Sequence, residues 1–150
     1  MGLFLSIAAA GCDPEAPGAS GTMSLGSGVD ATTFQTLEIR TFADTSDLYD
    51  QSQPIPSDAD RDTKPVAGIT FPHRYLVGGG IGSSNVGTWR LVAWLSHRAL
   101  ADADQATNFD PGDAFCSVPY RVQGCGVGLD GYCGVTGAVD CILAPWPPGP

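Results

Sequence analysis

Long hydrophobic runs are missing from this chain of 150 residues. No apolar stretch reaches the roughly 18 residues that a membrane-crossing helix needs, so nothing reads as spanning a bilayer. Positive charge is scarce: seven Lys and Arg stand against sixteen Asp and Glu, a formal net charge of −9, and Lys64 is the single lysine. A surface this acidic repels phosphate backbones, so nucleic acid is not expected as a partner. Histidine is confined to His73 and His97, and no Gly-x-Ser-x-Gly elbow occurs. Nucleophilic hydrolysis therefore has no motif to rest on, and no catalytic residue is assigned. What is present is a 43% hydrophobic composition with 15% charged residues, too apolar for a disordered chain. Twenty glycines and twelve prolines suit strands joined by many turns better than helices.

The first residues read as an address. Gly2 to Gly11 is uncharged and rich in Leu3, Phe4, Leu5 and Ile7, and it ends Ala9-Ala10-Gly11-Cys12. An apolar stretch of this length suits the core of a signal peptide and is too short to span. Small residues followed by Cys resemble the end of a bacterial lipoprotein signal. That resemblance implies cleavage before Cys12 and lipidation of its thiol. The run Asp13-Pro14-Glu15-Ala16-Pro17-Gly18-Ala19-Ser20-Gly21 has no hydrophobic periodicity and reads as a tether stiffened by prolines. The expected organisation is a signal peptide over 1–11, a lipidated Cys and tether over 12–21, a β-domain over 22–144 and a proline-rich tail over 145–150. The expected location is the cell envelope, lipid-anchored on the periplasmic or outer side of a bacterial membrane.

Without Cys12, four cysteines remain: Cys116, Cys125, Cys133 and Cys141. An even number in an exported chain reads as two disulfides. Gaps of eight, seven and seven residues are too wide for a structural zinc site, whose paired ligands stand two to four residues apart. In an antiparallel hairpin, facing residues share a common midpoint. The nested pairs Cys116–Cys141 and Cys125–Cys133 are both centred within half a residue of Leu129, next to the turn signal Asp130-Gly131. Nested pairing is therefore expected.

Period-two alternation marks the strands. Met23 to Val29, Thr36 to Phe42, Gly68 to Val77, Thr88 to Ser96, Ala114 to Val122, Tyr132 to Thr136 and Val139 to Leu143 all qualify. Thr88 to Ser96 is apolar on both faces, with Trp89, Leu91, Ala93 and Leu95 alternating with Arg90, Val92, Trp94 and Ser96, which places it centrally. Pro72 marks its own run as an edge strand or a bulge. His97 to Ala106 is the one short helix candidate. These elements predict an all-β fold, a six- to seven-stranded antiparallel β-sandwich with a disulfide-bonded C-terminal hairpin. The strand set resembles small exported sandwiches of the immunoglobulin-like or transthyretin-like kind. Thr70-Phe71-Pro72-His73-Arg74-Tyr75 followed by Thr88-Trp89-Arg90-Leu91-Val92-Ala93-Trp94 is similar to the lipoprotein family related to type III secretion pilot proteins, where a Phe-Pro segment precedes an aromatic-rich strand. That resemblance implies a noncatalytic binding or assembly-assisting role.

Two candidate sites stand out. Asp58, Asp60 and Asp62 alternate along an expected loop, and such carboxylates can converge on Ca²⁺, although Thr63 and Ile69 stand where an EF-hand requires Gly and Glu. Trp94, on the face of its strand opposite Leu91 and Leu95, is the candidate for stacking a sugar ring. Gly78-Gly79-Gly80-Ile81-Gly82 precedes a strand rather than a helix, so it reads as a loop and not a phosphate cradle. The expected function is that of a noncatalytic, membrane-anchored lipoprotein with an interaction or structural role and an envelope protein or glycan as partner; the alternative is a carbohydrate- or calcium-binding module.

Overall fold

In the computed structural model the described residues are 19–43, 55, 60–77, 87–124, 132–135 and 138–146. The signal, Cys12, most of the tether, the glycine-rich loop, Asp58, Cys125, the Asp130-Gly131 turn and the end of the proline tail lie outside them. Eight strands and one helix follow in order: β1 (Ser20–Leu25), β2 (Thr36–Ala43), β3 (Asp60–Pro65), β4 (His73–Leu76), β5 (Gly87–Ser96), α1 (Leu100–Gln105), β6 (Ala114–Gly124), β7 (Tyr132–Val135) and β8 (Cys141–Pro145).

The fold is mostly β. Hydrogen bonding joins the strands along a single path, β3-β2-β5-β6-β8-β1-β4, with β7 attached to β6 off that path. The hinge of this arrangement is β8. Its last residues pair antiparallel with the start of β6, Ala114 opposite Pro145 and Phe115 opposite Ala144. Its first residues pair with β1, Met23 opposite Cys141 and Leu25 opposite Leu143, and do so in parallel. The expectation of wholly antiparallel pairing is corrected at this point. Alternation reveals that a segment is a strand but not which neighbour it finds or in which direction.

Because β8 passes from one group of strands to the other, the sheet curls into a half-barrel and its two ends share one core. Leu37 and Ile39 of β2, Leu91, Ala93 and Leu95 of β5 and Ala114 and Cys116 of β6 pack with Met23 of β1, Tyr75 of β4 and Leu143 of β8. Each lies on the inward period-two face of its strand, which is the physical reason these segments form strands. A second cluster lies on the opposite face of the central strands: Phe42, Ile55, Val92, Trp94 and Ala106, with Phe109 and Phe115 against them. The 97–113 connection, including α1, covers that face. The two apolar faces of β5 thus meet two different cores, in line with its central place between β2 and β6.

The path ends on β3 and β4. β4 starts directly after Pro72, in keeping with the edge position that Pro72 marks. The Asp58–Asp62 run, expected as a loop, continues into an edge strand, Asp-Arg-Asp-Thr-Lys-Pro, which among the described residues pairs only with β2. Charges and a terminal proline are what keep an open edge from recruiting other strands.

A disulfide joins Cys116 to Cys141 with 6.0 Å between Cα atoms, the pairing that the cysteine spacing predicts. The reason differs from the expected one. The hairpin with that midpoint is formed by β6 and β7, with Val122 opposite Val135 and Gln123 opposite Gly134. Cys141 lies where β8 has already moved to β1, so the bond ties together the two halves of the curled sheet. The Cys125–Cys133 pairing falls outside the described residues at Cys125 and in the Cys133 side chain.

Candidate functional site

Three places on the molecule gather chemistry. The first is a cleft where β8 parts from β6. It is lined by Thr88 of β5, by Val118, Pro119, Tyr120 and Arg121 of β6, and by Ala138, Val139 and Asp140 leading into β8, with a volume of about 520 Å³. That size lies within the range of small-molecule sites. Its existence follows from the strand path. Among the described residues, β6 has β8 beside it only at Ala114 and Phe115 and β7 only from Val122 onward. Between these limits no described strand lies along that edge. Pro119 sits in this interval, where a residue without an N–H leaves no ladder partner unsatisfied on that side.

The far wall of the cleft is held rigidly. Val139 donates its N–H to the Ser20 carbonyl at 2.9 Å and its own carbonyl accepts from the Tyr75 hydroxyl. Burial pushes the Tyr75 hydroxyl above its ordinary range, so it remains a donor. Asp140 Oδ1 accepts from the Thr22 N–H at 2.9 Å. Gly21 is required here for space: a Cβ would stand 2.2 Å from the Val139 carbonyl oxygen. Asp140 and Arg121 are both exposed, so among the described residues the cleft carries one anion and one cation beside apolar walls.

The second place is a buried ion pair beneath α1. Glu38 and Arg40 lie on the outward face of β2, fully enclosed at 0% and 3% exposure, with Arg40 Nε 3.2 Å from Glu38 Oε2. One Arg40 nitrogen also donates to the carbonyls of Ala103 and Asp104, each at 3.1 Å. The guanidinium lies 5.0 Å from the centre of the Trp94 ring, in cation–π geometry. Glu38 Oε1 has no hydrogen-bond partner among the described residues. Burial pushes the Glu38 carboxyl above its ordinary range; the Thr63 hydroxyl and Arg40 pull it back only in part, while Asp104 adds to the rise. Arg61 and Thr63 of β3 also reach Asp104, at 2.7 Å to its carbonyl and 3.0 Å to its carboxylate. The cluster clamps α1 onto the sheet.

The third place is the pair His97 and Asp113 at the two ends of the 97–113 connection. Nδ1 and Oδ1 stand 3.6 Å apart, with the histidine half-exposed and the aspartate buried. This is longer than a hydrogen bond. Asp113 Oδ2 instead accepts the Asp110 N–H at 2.9 Å, and burial raises the Asp113 carboxyl from its ordinary value. Arg98 grips Asp110 at 2.6 and 2.7 Å through two nitrogens. The Phe34 ring covers His97 at 4.6 Å. No hydroxyl or thiol is bonded to the imidazole among the described residues, so the pair closes the connection without aligning a nucleophile.

The sequence-predicted residues fare differently. Trp94 is not available for sugar stacking: its exposure is 0%, and Phe109 meets its ring edge-on at 5.1 Å. The 97–113 connection and Trp146, which packs on Phe109 and Phe115 at 5.1 and 4.7 Å, enclose the face that was read as open. Asp60 and Asp62 lie on β3 rather than in a loop, and the Asp62 carboxylate is 2.6 Å from the Lys64 ammonium. Asp58 and the Asp60 side chain lie outside the described residues, and among the described residues no group of three or more metal-ligating side chains comes together. The Glu38–Arg40 pair does not stand out in the sequence, because the alternation of β2 puts both residues on the face opposite Leu37 and Ile39, the pattern of a half-buried strand. The available signal was β5, whose doubly apolar character implies that the sheet is covered on both sides.

Compared with protein families, curated proteins and solved structures, the chain matches none.

Proposed function

We propose that this chain is an exported, noncatalytic lipoprotein domain, anchored through a lipidated Cys12 on the periplasmic or outer side of a bacterial membrane, with an interaction role at the cell envelope. In this reading the curled sheet serves as a β-sandwich-like body, the two strand groups acting as its layers around the shared core. The observation that carries the proposal is the Cys116–Cys141 disulfide. Such bonds persist in oxidising compartments and are rare in the cytosol, so the bond supports export. The lipoprotein-like Ala9-Ala10-Gly11-Cys12 segment supplies the anchor. Binding rather than catalysis fits a body whose histidine–carboxylate pair faces no nucleophile among the described residues.

The test is expression in a bacterium that processes lipoproteins, followed by mass mapping without reduction and by acyl labelling. The expected result is a mature chain starting at an acylated Cys12, with Cys116 joined to Cys141 and with processing blocked by globomycin. An unprocessed chain with free thiols in the cytosol overturns the reading. Acyl labelling that persists in Cys12→Ala removes the anchor.

A further inference from the structure

We propose that the cleft between β6 and the lead-in to β8 binds a small zwitterion with an apolar side group, the chemistry shared by free amino acids and short peptides with free ends. This deepens the noncatalytic binding role above and rests on it. Four observations carry it. The cleft holds about 520 Å³, enough for a ligand of a few residues. Its walls are mainly apolar: Val118, Pro119, Tyr120 and Val139.

The third observation is its pair of opposite charges, Arg121 and Asp140. Among the described residues Arg121 has no ion-pair partner, and its guanidinium is suited to gripping a carboxylate in two-point fashion. Asp140 spends one oxygen on the Thr22 N–H. That bond fixes the side chain and leaves the second oxygen for an ammonium. A ligand of one charge would meet repulsion from one of these groups; a zwitterion satisfies both. A neutral apolar molecule would leave both charges unused.

The fourth observation is rigidity. Val139 and Asp140 are bonded to Ser20, Tyr75 and Thr22 on β1 and β4, and the disulfide ties the next residue, Cys141, to β6. The opposite wall is the central β5–β6 ladder, in which Thr88 faces Arg121. Both walls are therefore set before any ligand arrives, which lowers the ordering cost of binding.

The experiment is calorimetric titration of the oxidised protein with leucylleucine, its N-acetyl form, its C-terminal amide and glycylglycine. Leucylleucine is expected to bind saturably, and each blocked or side-chain-free probe to bind at least about tenfold more weakly. Arg121→Gln is expected to abolish the preference for the free carboxylate over the amide. Asp140→Asn, which keeps the Oδ1 acceptor for Thr22, is expected to abolish the preference for the free amine over the acetyl form. Absence of saturable binding up to millimolar probe, equal binding of blocked and free forms, or variants that retain both preferences overturn the assignment. None of these results bears on compartment or acylation, so they are distinguishable from failure of the anchored-lipoprotein reading. Hydrolysis of the peptide would instead overturn the noncatalytic role.

Discussion

Replacing Arg40 by Met tests how the second face of the sheet is held together. Arg40→Met removes the cation paired with Glu38, a carboxylate with 0% exposure, and withdraws one donor from each of the Ala103 and Asp104 carbonyls. Breaking a buried pair from one side costs about 3–5 kcal/mol, because the remaining charge is left uncompensated. For a chain of this size that is a fall in Tm of roughly 6–20 °C, at about 2–4 °C per kcal/mol. Adding Glu38→Leu removes the stranded charge and is expected to recover part of the loss. About 1–3 kcal/mol remains for the two lost Arg40 hydrogen bonds, although the Ala103 and Asp104 carbonyls keep the Ala106 N–H and Arg61 as donors.

The pH dependence gives an independent sign. Burial raises the Glu38 carboxyl above its ordinary value of 4.5, so between that value and the raised one the folded protein binds the proton more than the unfolded chain does. Stability from this group is full below 4.5 and is lost as pH rises through the raised value. Without Arg40 the rise is larger. The deficit of Arg40→Met is therefore expected to shrink as pH falls from 7 toward 4.5, and urea denaturation of the four members of the double-mutant cycle measures it. Single-mutant losses below about 1 kcal/mol, or losses in Glu38→Leu and Arg40→Met that simply add, would refute the account of a coupled pair clamping α1.

Three further outcomes follow from the geometry. The Cys116→Ala/Cys141→Ala protein loses a link across a separation of 25 residues, worth about 3.5 kcal/mol in the chain-entropy estimate, and its urea midpoint should fall accordingly; an unchanged midpoint would show that β8 is held without the bond. Gly21→Ala places a Cβ 2.2 Å from the Val139 carbonyl oxygen and should destabilise by about 3 kcal/mol, measured by thermal melting, with a neutral effect counting against the close approach of β1 to Val139. Trp94→Ala should cost about 3–5 kcal/mol through the cavity it leaves and should not act as a selective loss of glycan binding in an otherwise stable protein; a glycan-array loss with an unchanged Tm would restore the stacking role.

Much of the sheet was legible in the chain, and the reason is periodicity. β2 and β5 alternate cleanly because one face of each meets a continuous core, and the observed spans Thr36–Ala43 and Gly87–Ser96 differ from the expected ones by a single residue at one end. β3 was illegible because Asp60, Arg61, Asp62, Thr63 and Lys64 carry no apolar alternation. An edge strand is selected for charge rather than for burial, so it looks like a loop. The cleft was hidden for a different reason. Thr88, Tyr120 and Asp140 are distant in sequence and meet only because β8 changes partners, and no local pattern records that exchange. The misreading of Trp94 has the same root: what covers a sheet face depends on where a connection such as 97–113 lies down, and its alanines and aspartates gave little sign of it.

The parallel pairing of β1 with β8 gives the domain a mechanical direction. A pull on the chain upstream of Ser20 would load the β1–β8 and β1–β4 ladders lengthwise, so their bonds would share the tension instead of opening one at a time. Cys141 would then pass that tension through its sulfur to Cys116 in the interior of the sheet. A body built in this way, tugged from its leading end, carries the load through β1 and β8 and delivers it by the disulfide to β6, at the side of β5.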